Sequence, residues 1–293
     1  MEIGIALPQM ALGYGPETTV TWARKADEGP FSSISAGERV TFSNPEMVAS
    51  LAAAAAVTTR LRVFANLWVL PVHSMAMVAQ QVNTLDQLSD GRLSVAVGVG
   101  AREEDYRALG SPFAGRHGRL DAQVAELRRL LAGEPAFPGA EPVGPAPTQP
   151  GGPELLAGAM GPKAMRRAAA WADGVSAFSL SGDQAEIART NELADSCWAE
   201  AGRAAPRKVS GTFFALGVDE PVATLRAFAA RYLGFLGPEL AGAVAGGLDA
   251  GSNDVLRRIL DGAEAAGCDE FILVPATTDV RALDEAAELV AAR

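Results

Sequence analysis

Short apolar runs recur along this chain at 3–7, 31–35, 61–68, 93–97, 154–157, 174–178, 209–217 and 269–274. Each is the length of a buried strand, and each is apolar almost throughout rather than alternating, which is how strands of a parallel sheet covered on both faces read. Between them the spacing changes to that of helices. Leu120, Val124, Leu127 and Leu131 lie on one face of such a helix, as do Val255, Ile259, Ala263 and Ala266. The pattern therefore predicts eight strands, each followed by a helix.

Local punctuation supports the phase. A helix is expected over 45–59, with Asn44 capping free N–H groups and Pro45 at the first helical position. Ser74 can cap the helix after it. Strict alternation forces parallel pairing through right-handed crossovers, and eight such units close most simply into an α/β (β/α)8 TIM barrel; an open doubly wound sheet is the competitor. The 293 residues suit one barrel domain. A Pro- and Gly-rich surface excursion over 133–152 and extra helices over 219–266 decorate it without reading as linkers.

Composition narrows the classes. Hydrophobic residues make up 48% of the chain, yet no apolar run is long enough to cross a bilayer. A strand-like segment over 2–7 stands where a leader's basic region would be, so a soluble, cytoplasmic protein is expected. The formal charge of −10 argues against nucleic acid or an anionic membrane as partner. Cys197 and Cys268, the only cysteines, have neither disulfide-framework nor metal-ligand spacing.

In a barrel the chemistry lies at the C-terminal strand ends. Lys25, Lys163 and Lys208 are the only lysines, and none falls inside the predicted barrel, which disfavours a Schiff-base enzyme. Two histidines, His73 and His117, with scattered strand-end carboxylates do not make a catalytic metal site. The reactive group is then expected from a bound organic cofactor. Two glycine turns could hold its phosphate. Gly98-Val99-Gly100-Ala101-Arg102-Glu103 fails the dinucleotide pattern at its last position. Gly158-Ala159-Met160-Gly161-Pro162-Lys163 leaves a strand and enters a helix at a proline, a geometry that offers free N–H groups to an anion, although such glycines also serve simply to turn the chain.

Residues 44–110 carry a family likeness. An alanine-rich helix leads to Thr58, Arg60, Leu61 and Val63, then to Pro71, then to the run Ala79, Gln81, Thr84, Leu85, Asp86, Leu88, Ser89, Gly91 and Arg92, ending at Gly98 and Gly100. This resembles the most diagnostic stretch of the bacterial-luciferase-like flavin-dependent oxidoreductases. The likeness extends to the arginine-led helix at 116–131, to 158–174 and to 267–275.

The resemblance implies a flavin across the C-terminal mouth, with Asn66, Leu67 and Trp68 beside its ring and a bulged third strand beneath it. A strained or cis peptide is expected within 65–67. Gly98, Gly100, Gly158, Ala159, Met160, Gly161 and Lys163 would complete the cofactor site, while Gln9, Arg102 and Arg116 would line the substrate pocket. One departure stands out: many relatives end the second strand with an Asp-His pair, and this chain has Gly37-Glu38-Arg39. Glu38, Arg39 and His73 are the candidate catalytic residues. Arg39 can fix an anion but cannot act as a base, whereas His73 titrates in the right range, against the plainer reading of a polar helix entry.

The function implied is a monooxygenase using reduced FMN and oxygen on a small organic substrate, with a flavin reductase as partner and a homodimer as the assembly. Hydride transfer with coenzyme F420 is the alternative. A flavin-binding barrel without catalysis is the third reading, motivated by the altered Asp-His position.

Overall fold

A computed structural model describes the whole chain, Met1–Arg293. Its elements run β1 (Glu2–Ala6), α1 (Thr18–Glu28), β2 (Ser33–Ala36), α2 (Met47–Val57), β3 (Arg62–Val69), α3 (Met75–Leu88), β4 (Leu93–Gly98), α4 (Glu103–Ala108), α5 (Arg116–Leu131), β5 (Leu155–Ala157), α6 (Pro162–Ala168), β6 (Gly174–Ser176), α7 (Gln184–Glu200), β7 (Arg207–Phe214), α8 (Pro221–Tyr232), α9 (Pro238–Gly246), α10 (Asn253–Ala265), β8 (Glu270–Pro275) and α11 (Val280–Ala291). The strands pair in sequence order, all parallel, and β8 closes on β1. This is the (β/α)8 barrel, and the open sheet is excluded.

Burial explains the unbroken apolar strands. A cluster of 56 buried residues fills the layer between strands and helices, and a separate cluster of Ala6, Phe64, Ala96, Leu156, Val209 and Ile272 fills the barrel itself. One face of each strand meets helices and the other meets facing strands, so both are mainly apolar, and the polar residues on them, such as Ser176 and Glu270, are hydrogen-bonded.

The start of α2 differs from expectation. Glu46 is its cap, its carboxylate accepting from the N–H groups of Val48 at 3.0 Å and Ala49 at 2.6 Å. Asn44 instead donates from its amide to the carbonyls of Arg39 and Pro45, which holds the chain outside the helix. Ser74 does precede α3, but its side chain makes no capping bond. The excursion after α5 is fastened by Gln149, whose side chain donates to Asp86 and to the carbonyl of Leu93. No helix is long and apolar enough to cross a membrane.

Candidate active site

The pairing of β3 with β4 slips between Ala65 and Trp68, and the Asn66–Leu67 peptide bond is cis. The slip breaks the simple in-and-out alternation. Asn66 faces across the barrel, where its Oδ1 accepts from the Ser176 hydroxyl at 2.7 Å. Leu67 packs against the barrel-filling cluster, and Trp68, 1% exposed, belongs to the layer under the helices. Trp68 is thus enclosed by protein, whereas Asn66 and Leu67 are only partly buried.

Two glycines expected at the cofactor are shaped by Leu67. A Cβ on Gly158 would stand 2.3 Å from its Cδ2, and one on Gly98 would stand 3.2 Å away. A side chain at Gly158 would displace the Leu67 methyls from this place, and one at Gly98 would press on them. Gly100 has φ of +62° and lies against Val69, so it turns the chain in a conformation other residues avoid.

Glu38 and His73 meet. His73 follows the short 3-10 turn Leu70–Val72, and its Nε2 lies 2.6 Å from Glu38 Oε1. The other carboxylate oxygen of Glu38 accepts from the Val69 N–H at 2.7 Å, and Gln123 donates to the His73 carbonyl at 3.1 Å. Glu38 is thus held at its carboxylate by the Val69 backbone, and His73 at its own carbonyl by the Gln123 side chain. This carboxylate–imidazole contact joins the ends of two different strands, β2 and β3. Gln9, 1% exposed, donates to the Gly37 carbonyl just before this pair, and its Oε1 is buried without a partner.

Arg39 and Arg102, which follow β2 and β4, come together over the Tyr232 carbonyl. The guanidinium of Arg39 lies 3.5 Å above the Phe42 ring, and that of Arg102 lies 4.8 Å from the Tyr232 ring. Both donate to the Tyr232 carbonyl, at 3.4 and 3.1 Å. Burial, followed by the charge of Arg102, pushes the pKa of Arg39 down to about 10, so it remains a cation at neutral pH. Asp105 steadies the loop beneath, its Oδ1 accepting from the Val40 and Thr41 amides and the Thr41 hydroxyl. Phe213 packs against Phe178 at 4.7 Å and Tyr232 at 5.2 Å, giving the mouth an aromatic wall.

Residues 1–282 match the model of a family described as luciferase-like monooxygenase. The chain belongs to that family. Among curated relatives of this luciferase-like chain, an uncharacterized protein of Mycobacterium tuberculosis is 36% identical over 167 residues, 54% of this chain and 56% of that protein. The match thus spans about half the length of that relative. Two solved structures share the fold. An F420-dependent secondary alcohol dehydrogenase in complex with an F420-acetone adduct aligns with a TM-score of 0.79 at 18% identity, over 99% of this chain and 98% of that one. The oxygenating constituent of a Pseudomonas putida diketocamphane monooxygenase, in complex with FMN, aligns with a TM-score of 0.72 at 18% identity, over 99% and 96%.

The luciferase-like family implies a phosphate-bearing flavin-type cofactor, and the turn after β5 fits one. The N–H groups of Ala159, Met160 and Gly161 have no acceptor within the chain, while that of Gly158 is used by the Val97 carbonyl. Arg116, His117 and Arg167 gather beside this turn: burial, then the charges of the two arginines, holds the His117 imidazole below its ordinary pKa. Arg116 Nε is buried without an acceptor, and a small cavity of about 40 Å³ opens between Gly158, His117 and Arg167. Lys163 and Met160 are exposed on the outer side of the turn. Arg167 is already paired with Asp121, which lines the same cavity, so the free amides and the unused Nε–H of Arg116 are the donors left for a phosphate.

Several residues of the site were not legible in advance. Tyr232 comes from α8, read only as an extra helix, and Phe42, Asp105, Ser176 and Phe213 carried no motif. Phe213 alone had a signal, since its parity with Val209 along β7 points it into the barrel.

Proposed function

We propose that this chain is an oxidoreductase that oxygenates a small organic substrate at the C-terminal mouth, using reduced FMN and oxygen. The observation that carries an enzymatic role is the Glu38–His73 pair, fixed at 2.6 Å on the rim of the mouth. With its Nε2 facing a carboxylate, a neutral His73 keeps its proton on that nitrogen, and Nδ1 is the atom free to accept one. A bound flavin would supply the electron pair and the reaction with oxygen. The protein's part is to hold the ring over Asn66 and Leu67, to exclude water with Phe178, Phe213 and Tyr232, and to manage the proton through His73. Against the non-catalytic reading stands the contact between Glu38 and His73, which brings a carboxylate and an imidazole together at the mouth.

A second reading, hydride transfer with coenzyme F420, draws support from the same pair. Oxidising an alcohol by hydride transfer needs a base for the hydroxyl proton, and Nδ1 of His73 is placed to serve. Turnover with and without oxygen separates the two. Product formation that requires oxygen and reduced FMN supports the first reading, and oxygen-independent reduction of F420 by an alcohol replaces it with the second.

A further inference from the structure

We infer that Arg39 and Arg102 form a recognition site for a carboxylate on the organic substrate, so that the substrate is a small apolar or aromatic acid. This rests on the reading of the mouth as the substrate site.

The two guanidinium groups are held together although their charges repel. Both are tied to one carbonyl, that of Tyr232, and neither has a carboxylate within ion-pair distance. Asp105 is near, but its Oδ1 is occupied by the Val40 and Thr41 donors. The Nε–H groups of Arg39 and Arg102 are both buried and find no acceptor. Arg231 adds a third cation, 4.2 Å from the Phe42 ring on which Arg39 also lies. Burial first, and then the charge of Arg102, lowers the pKa of Arg39, with Tyr232 and Asp105 offsetting part of the shift.

A buried N–H without an acceptor is destabilising, and close like charges add to it. An anion between the two would relieve both. Arginine's planar fork matches a carboxylate with two parallel hydrogen bonds, and the aromatic faces of Phe42 and Tyr232 fix the guanidinium planes without neutralising them. Phe213 lies against Tyr232 and Phe178 against Phe213, so the body of such an acid would meet apolar surface.

The test is calorimetric titration of the full-length chain with benzoate and with benzamide, which share a shape and differ in charge. Benzoate is expected to bind about 10-fold more tightly or better, the difference made by one charged hydrogen-bonded contact. Arg39→Gln and Arg102→Gln should each weaken benzoate by about 10-fold and leave benzamide unchanged. Arg102→Lys, retaining the charge without the fork, should fall between. Equal affinity of wild-type protein for acid and amide overturns the proposal without relying on any variant. It is also overturned if the glutamine variants lose FMN or F420 while retaining benzoate, because the arginines then serve the cofactor. If neither cofactor binds but the preference for benzoate stands, the oxidoreductase reading fails and the carboxylate site survives.

Discussion

The two ends of the barrel are both rich in arginine and use it in opposite ways. At the base, where strands begin, every charge near the axis is matched. Glu270, fully buried, accepts from Ser32, Ser33, Arg62 and Arg207, and Arg207 also pairs with Glu154. Arg60 and Arg92 direct their guanidinium groups at backbone carbonyls, among them Phe31, Gly29, Leu61 and Thr58. A hollow of about 1340 Å³ opens there, yet its charges are already partnered. At the mouth, Arg39 and Arg102 rest on aromatic rings with donors unused, and Gln9 has an acceptor unused. The base uses polar chemistry to close the barrel, whereas the mouth leaves it available for a ligand.

That contrast is sharpest under mutation. Replacing His73 with Gln, or Glu38 with Gln, is expected to lower turnover by about 10²- to 10⁴-fold, the range for one general acid or base, with little change in denaturant stability. If either variant lost stability and kept its rate, the mouth would be structural like the base. Glu270→Ala is expected to do the reverse. It removes the acceptor shared by Ser33, Arg62 and Arg207, although Glu2 and Glu154 still pair with the two arginines, and should cost about 1–3 kcal/mol in equilibrium unfolding, while cofactor affinity of the folded fraction stays near wild type.

The smallest effect is one of pH. Burial raises the Asp105 carboxyl, but hydrogen bonds from Thr41 and Val40 and the charge of Arg102 outweigh it, and the net shift is downward. A depressed carboxyl stabilises the fold fully above its unfolded pKa of about 3.9 and loses that contribution as pH falls through its lower folded value. Denaturation midpoints taken from neutral to strongly acid pH should therefore fall less steeply in Asp105→Asn than in wild type. An unchanged slope would remove Asp105 from the loop's support.

All eight strands and their closure were legible because a buried parallel strand writes its environment into a continuous apolar run. Glu38, Arg39 and His73 were each visible as strand-end residues. Their partners were not: Tyr232 lies far along the chain from both Arg39 and Arg102, and nothing in α8 marks the residue whose carbonyl joins them. The altered Asp-His position gave no sign of the contact between Glu38 and His73 for a related reason. A motif records neighbours in sequence, while the Glu38–His73 pair is made by two loops that only the folded barrel brings together. Trp68 shows the converse, since a conspicuous aromatic beside the slip in β3 is enclosed by protein.

Fluorescence titration of the purified chain with FMN, with reduced FMN under anaerobic conditions, and with F420 tests the central claim most directly. One of the three should bind saturably at a single site, with affinity lost when Gly158→Val crowds Leu67 at the rim, while Glu270→Gln at the base leaves it intact. Absence of saturation with all three, or an equal loss from the base variant, would contradict a mouth built to hold a flavin-type ring.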